Sequence, residues 1–301
     1  MTEADLSPYL EQTAVSDPGR FGAVLDQFDP DIRTLPAQVS ALMIHPGVAA
    51  VLGLPITAEQ DLDRRHRTVA RLLEHLMARD DGPVAQGRAL EKRLGGICRD
   101  HAMLGVAVLR HHGIPARMRG GFSRYFTAGF WDDHWVAEVW HAGAWRLVDM
   151  QLGPQGLKMC SRSVEPWDVV RDAFVCSPES WLACRRGTVD ADHIGVCQIG
   201  LTGHWFAATS VVRDAASLAC IELLPWDYWS GIDTLANARE RLPEFATETD
   251  AIADRLLGGG ATFENARDVL ETVPWIGIPE MVVSYHGSGD PGFEIVTLYA
   301  A

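Results

Sequence analysis

Apolar residues in this chain recur at two periods, and the change from one to the other divides it. In the stretch ITAEQDLDRRHRTVARLLEHLMARD, residues 56–80, Leu62, Val69, Leu72, Leu73, Leu76 and Met77 share one face at helical spacing. Thr57, with Gln60 three residues on, has the signature of a capping box, and Asp80-Asp81-Gly82-Pro83 is a stop signal, so one long helix is expected. A shorter helix is expected over 36–43, ended by His45-Pro46-Gly47. The next helical stretch, CRDHAMLGVAVLRHHG at 98–113, is apolar almost all round through Ala102, Leu104, Val106, Val108 and Leu109, as a buried helix is. Gly95 and Gly96 precede it, and Gly113 with Pro115 ends it.

After this helix the period drops to two. ARMRGGFSRYF, HWVAEVWHAG and AWRLVDMQ read as three strands, with a hairpin turn at 141–144 between the last two. From Gly153 onward the pattern returns to helix in PESWLACRRG, GHWFAATSVVRDAASLACIELL, TLANARERLPEFATETDAIADRLL and ATFENARDVLETV. The end, EMVVSYHGSGDPGFEIVTLYAA, reads as two short strands around a turn. A central helix feeding an antiparallel sheet is an α+β pattern. The expected organisation is a helical N-terminal layer at 1–89, a core at 90–155 and a mostly helical region at 156–301.

Composition narrows the choices. The 301 residues are 47% hydrophobic and 22% charged, which is globular. Forty acidic against 26 basic side chains give a net charge of −14, a field that repels phosphate backbones, so nucleic acid is not an expected partner. No apolar run has the length of a membrane span, and MTEADLSPYLEQ lacks the basic and apolar regions of a signal peptide. Six irregularly spaced cysteines read as reduced thiols, and the expected location is the cytoplasm.

Chemistry centres on Cys98, at the start of the buried helix. The unpaired N–H groups and positive dipole end of a helix start favour a thiolate. A thiol nucleophile needs a base, and the base an orienting group. His134 opens one strand, and Asp149 closes the next, fifteen residues later. The hairpin between them brings the two ends back side by side, giving a Cys-His-Asp order in which the carboxylate fixes the imidazole tautomer.

These segments, GGICRDHAMLGVAVLRHHGIPARMRGGF, DHWVAEVW and WRLVDMQLG, resemble the transglutaminase-like superfamily, in its stand-alone bacterial form. The resemblance covers about residues 90–155. It implies a papain-like core, a catalytic triad of nucleophile Cys98, base His134 and orienter Asp149, and no cofactor. It implies an acyltransferase or hydrolase working through a thioester acyl-enzyme, with amide-bond formation if an amine attacks and amide or peptide hydrolysis if water does. Animal members use an upstream Trp as oxyanion donor, and this chain has no Trp before Trp131. The Cys98 amide supplies one donor; Gln86 or an arginine is a candidate for the second.

Other residues have competing readings. Arg99 is a helix-surface residue or a clamp for a substrate carboxylate, with the surface favoured. Trp131 packs on the sheet or lines an acyl pocket. Asp132 and Asp133 are solvated turn acids or tune His134. Arg110, Arg117, Arg119 and Arg124 are a salt-bridged surface, the favoured reading, or a dock for an acidic carrier protein bearing a phosphopantetheine-bound acyl donor in natural-product biosynthesis. Cys160, Cys176, Cys184, Cys197 and Cys220, with His193 and His204, contain no CxxC pair, so no metal site is expected. An inactive fold serving as a binding module is the alternative of another class.

Overall fold

The computed structural model describes residues 3–232, 234–285 and 292–298. The chain forms two units, each drawn from two stretches of sequence: Met1–Met118 with Trp135–Ala173, and Arg119–His134 with Phe174–Ala301. The first unit opens with α1 (Glu3–Leu6), α2 (Gly22–Leu25), α3 (Leu35–Ser40), β1 (Met43–Ile44), α4 (Pro46–Val51), α5 (Ala58–Asp63), α6 (Val69–Arg79), β2 (Leu94–Gly95) and α7 (Cys98–His111). Strands β3 (Ala116–Ser123) and β4 (Trp131–His141) each pass from one unit to the other, and β5 (Ala144–Val148) returns to the first. The second unit adds β6 (Phe174–Cys176), α8 (Ser177–Arg185), β7 (Ile194–Val196), β8 (Leu201–Thr202), α9 (His204–Leu218), β9 (Asp227–Tyr228), α10 (Leu235–Arg255), α11 (Phe263–Thr272), β10 (Met281–Tyr285) and β11 (Phe293–Thr297).

The fold is α+β, as expected, with strand order β6-β3-β4-β7-β8 in the main sheet and β5 added on β4. The β4–β5 hairpin is antiparallel, Ala137 facing Val148 and His141 facing Ala144. Its two-residue loop has positive φ at both positions, 50° at Ala142 and 81° at Gly143, the geometry that matches strand twist. β6 runs antiparallel to the end of β3, while β7 runs parallel to the start of β4.

Each unit has its own core. In the first, α7 is buried from Cys98 through Arg110, and its Ala102, Val106 and Leu109 share one cluster with Met118, Trp135, Ala137, Val139, Val148 and Met150. In the second, Phe206, Val211 and Ala215 of α9 pack with Trp181, Ile252 and Leu270. Burying each such Val, Leu or Phe contributes about 1.5–3 kcal/mol.

Several elements differ from the sequence reading. The single helix over 56–80 is two. The capping box at its start forms, with Thr57 Oγ1 accepting from Gln60 N at 3.1 Å and Gln60 Oε1 from Thr57 N at 3.1 Å. The helix then stops at Asp63, because Thr68 caps a second start by accepting from Arg71 N. Leu62, placed on the apolar face by periodicity, is 54% exposed. The helix expected over 36–43 ends at Ser40. Pro46 begins a helix instead of ending one, since its fixed φ suits a first helical position and His45 Nδ1 accepts from Gly47 N at 3.0 Å. The helix begun at His204 ends at Leu218, where Cys220 takes a left-handed φ of 58°. Strands β6 to β9 were not expected, being only two or three residues long. The final hairpin pairs Met281 with Thr297, but its turn at 286–291 and residues 299–301 lie outside the described residues.

Candidate active site

The approach to Cys98 is held by backbone on both sides. β2 pairs parallel with β1, and Leu94 N and Gly96 N donate to Leu42 O and Ile44 O, both at 3.1 Å. Gly95 N donates to Asp63 Oδ2 at 2.8 Å. A Cβ on Gly95 would stand 1.8 Å from the Gln60 carbonyl oxygen, so only glycine allows this approach. Ile97 is extended and Cys98 is the first residue of α7, buried in the first unit's core. The Asp100 carboxylate turns back to accept Ile97 N at 2.9 Å, closing the helix start.

Arg99 is not on the surface. Its side chain is fully buried, Nη1 stands 3.4 Å from Asp100 Oδ1, and Nη2 donates to Arg67 O at 3.0 Å. Asp100 is equally buried. Burial pushes its carboxyl up, against the opposing pull of Arg99 and of the Ile97 N–H.

Asp149 immediately follows β5 and has no exposed surface. Its N–H donates to Pro166 O at 2.7 Å, and its Oδ1 accepts Gln151 N at 2.9 Å, an Asx-type turn. The following Met150 is seated on α7, so close to Gly105 that a Cβ there would meet its side chain at 2.6 Å. Asp149 also acts on a thiol. Burial, and then the Asp149 charge, push Cys160 up to about 12. Burial and Asp190 push Cys184 up to about 11.

His134, inside β4, is buried among ring edges, with centroids 5.9, 5.0 and 6.2 Å from Tyr125, Phe126 and Phe174. Periodicity could not find this aromatic surround, although SRYF precedes the histidine closely. The next residue, Trp135, belongs to the same hydrophobic cluster as Cys98 and Met150. Asp132 and Asp133 are strand residues, not turn acids. Asp132 is buried and accepts from Thr127 N and Oγ1 at 2.9 and 3.2 Å. Asp133 is raised to about 6, by desolvation first, with Asp132 adding and Arg213 and His134 opposing. Trp131 is half-buried beneath the Arg124 guanidinium, 5.1 Å from its ring centroid.

Other candidates land elsewhere. Gln86 is exposed at the end of a 3-10 turn whose Val84 is buried. Arg110, Arg117 and Arg119 are buried, which corrects the surface reading while keeping its ion pairs. Arg119 pairs with Asp214 at 2.9 Å and Arg117 with Glu138 at 2.8 Å. A carrier dock would lose three of its four arginines. Among the described residues, the cluster able to hold a metal is Asp63, His66 and His75, and it contains no cysteine. A surface cavity is lined by Leu157, Cys160, Arg162 and Pro166, the last of which accepts the Asp149 N–H.

Cys98 thus opens the buried helix α7, His134 lies in β4, and Asp149 follows β5. Residues 58–150 match the core model of the transglutaminase-like superfamily, so the resemblance read from the sequence holds over that segment. No curated protein matches the chain significantly. A solved structure of a candidate cysteine protease from Cytophaga hutchinsonii is similar at 15% identity and a TM-score of 0.36. The similarity covers 58% of this chain and 46% of that one, so the chain spans less than half of that protein. No helix among the described residues is long and apolar enough to cross a membrane.

Proposed function

We propose that this protein is a cysteine-dependent acyl-transfer enzyme in which Cys98 is the nucleophile, His134 the general base and acid, and Asp149 the group that orients His134. The observation that carries this reading is Cys98 as the opening residue of the buried helix α7, inside the transglutaminase-like segment. The β4–β5 register supports it. Ala137 faces Val148, so continuing the ladder sets Val136 against Asp149, and alternation puts His134 on the same side of β4 as Val136. The raised Cys160 and Cys184 support Cys98 by removing two competing thiols.

In this reading His134 takes the thiol proton as the Cys98 sulfur adds to the carbonyl of an amide or thioester. N–H groups at the start of α7 stabilise the oxyanion. The leaving amine or thiol takes the proton back from the imidazolium, and a Cys98 thioester remains. An amine or a water, deprotonated by His134, then adds to the thioester carbonyl; the C–S bond breaks, the Cys98 sulfur takes the proton back from the imidazolium, and the acyl group leaves as an amide or an acid.

The test is the pH dependence of iodoacetamide labelling at Cys98, followed by peptide mapping, in wild type and His134→Ala. Labelling well below the free-thiol pKa of about 8.5, lost in the variant, is expected. Ordinary, slow labelling that His134→Ala leaves unchanged would overturn the triad and favour a binding role.

A further inference from the structure

The break between α5 and α6 assembles a second cluster of chemistry. Asp63 ends α5, His66 lies in the connecting loop and His75 is two turns into α6. One ligand atom from each falls within 4.8 Å of the others. The two imidazoles face each other at 4.2 Å between centroids, tilted by 34°. His66 Nε2 is buried without a hydrogen-bond partner and stands 3.7 Å from Asp63 Oδ1.

A buried imidazole nitrogen without a hydrogen bond costs stability. The two tilted rings, with the carboxylate beside them, can share one partner. We propose that Asp63, His66 and His75 bind a divalent late first-row transition-metal ion of the Zn²⁺ type. Imidazole with one carboxylate suits such ions and not the hard cations Ca²⁺ or Mg²⁺, which take oxygen ligands.

The surroundings are those of an oriented ligand set. Arg79 Nη1 and Nη2 donate to Asp63 Oδ2 and Oδ1 at 2.7 and 2.9 Å, and Gly95 N donates to Oδ2 at 2.8 Å. This fills three of the four acceptor positions of the carboxylate and leaves one, on Oδ1, turned toward His66 Nε2. The Arg79 charge is shared with Glu59, whose Oε1 accepts Arg79 Nε at 3.0 Å. Such hydrogen bonds fix a ligating carboxylate in place. The ion would clamp the end of α5 to α6 behind the Gly95 turn.

The experiment is a titration of the chelator-treated full chain with Co²⁺, read by its visible absorption, and with Zn²⁺, read by melting temperature. The expected result is saturation near one ion per chain, with a nitrogen- and oxygen-type spectrum lacking thiolate-to-metal charge transfer. Zn²⁺ should raise the melting temperature. His66→Ala and His75→Ala should each weaken binding at least about tenfold and abolish the thermal shift, while circular dichroism without metal stays unchanged. Should His75→Ala not fold, His75→Gln serves the same purpose. No uptake at large Co²⁺ excess, a thiolate spectrum, or unchanged binding in both histidine variants would overturn the site.

Discussion

Arg117 gives its guanidinium edge to Glu138 while its faces lie against two rings. Nε stands 2.9 Å and Nη2 2.8 Å from Glu138 Oε2, and the ring centroids of Tyr9 and Trp145 are 4.9 and 4.0 Å away. Both members of the pair are buried, and Arg171 adds a hydrogen bond to the other Glu138 oxygen at 2.6 Å. Removing one member leaves the other charge uncompensated. Glu138→Ala should cost about 3–5 kcal/mol in urea denaturation, and Glu138→Gln distinctly less. A Glu138→Ala cost below about 1 kcal/mol would show that the pair does not stabilise the fold.

Asp149 is already anchored by its own turn, which Asn can reproduce because its side-chain oxygen also accepts Gln151 N. Asp149→Asn should therefore keep the melting temperature close to wild type. In acyl transfer it should lower kcat by about 10³–10⁴-fold, through loss of the tautomer control that a carboxylate gives the base. A variant retaining wild-type kcat would remove Asp149 from the triad.

Asp133 carries a pH signature. Its folded value of about 6 lies above that of an ordinary carboxyl, so between these values the native state binds more protons than the unfolded chain. Stability from this group is present at low pH and lost as pH rises toward 6. Asp133→Asn lacks that loss. Its melting temperature relative to wild type should rise between pH 4 and pH 7; a constant difference would contradict the shift.

Thiol chemistry should be selective. With Cys160 at about 12 and Cys184 at about 11, neither should label appreciably at pH 8, whereas the exposed Cys197 should label as an accessible thiol does. Peptide mapping after timed alkylation separates these sites, and fast labelling of Cys160 would refute its assignment as a silent thiol.

Gly95→Ala tests the approach to the nucleophile. The new methyl meets backbone, the Gln60 carbonyl, which cannot swing away as a side chain can. The substitution should destabilise by about 1–3 kcal/mol or more and slow Cys98 labelling. Gly113→Ala, strained at φ 71° but in open space, should cost stability without changing Cys98 reactivity.

The sequence reading reached furthest where one physical signal dominated. Helix α7 was legible because nearly every position is apolar, and the β4–β5 hairpin because alternation meets a turn at Ala142-Gly143. Thr57 and Gln60 announced their capping box. What escaped reading was decided by partners distant in sequence. The helix that periodicity continues breaks after Asp63, where Thr68 caps a new start and Arg79 and Gly95 hold the Asp63 carboxylate. Arg99, Arg117 and Arg119 look like surface charges until Asp100, Glu138 and Asp214 are found beside them. The pair His66 and His75 showed no motif, because the loop that turns one ring onto the other is set by the Thr68 cap.

The interleaving of the two units has a consequence for how the protein is made. The first unit is incomplete until residue 173 has left the ribosome, and by then Arg119–His134, the opening piece of the second, has already emerged. Neither unit can finish folding before the other has begun to be synthesised. A cut after Ala173 keeps every residue of the first unit together with Arg119–His134, but leaves the second unit without that opening piece, so truncation cannot yield the second unit whole.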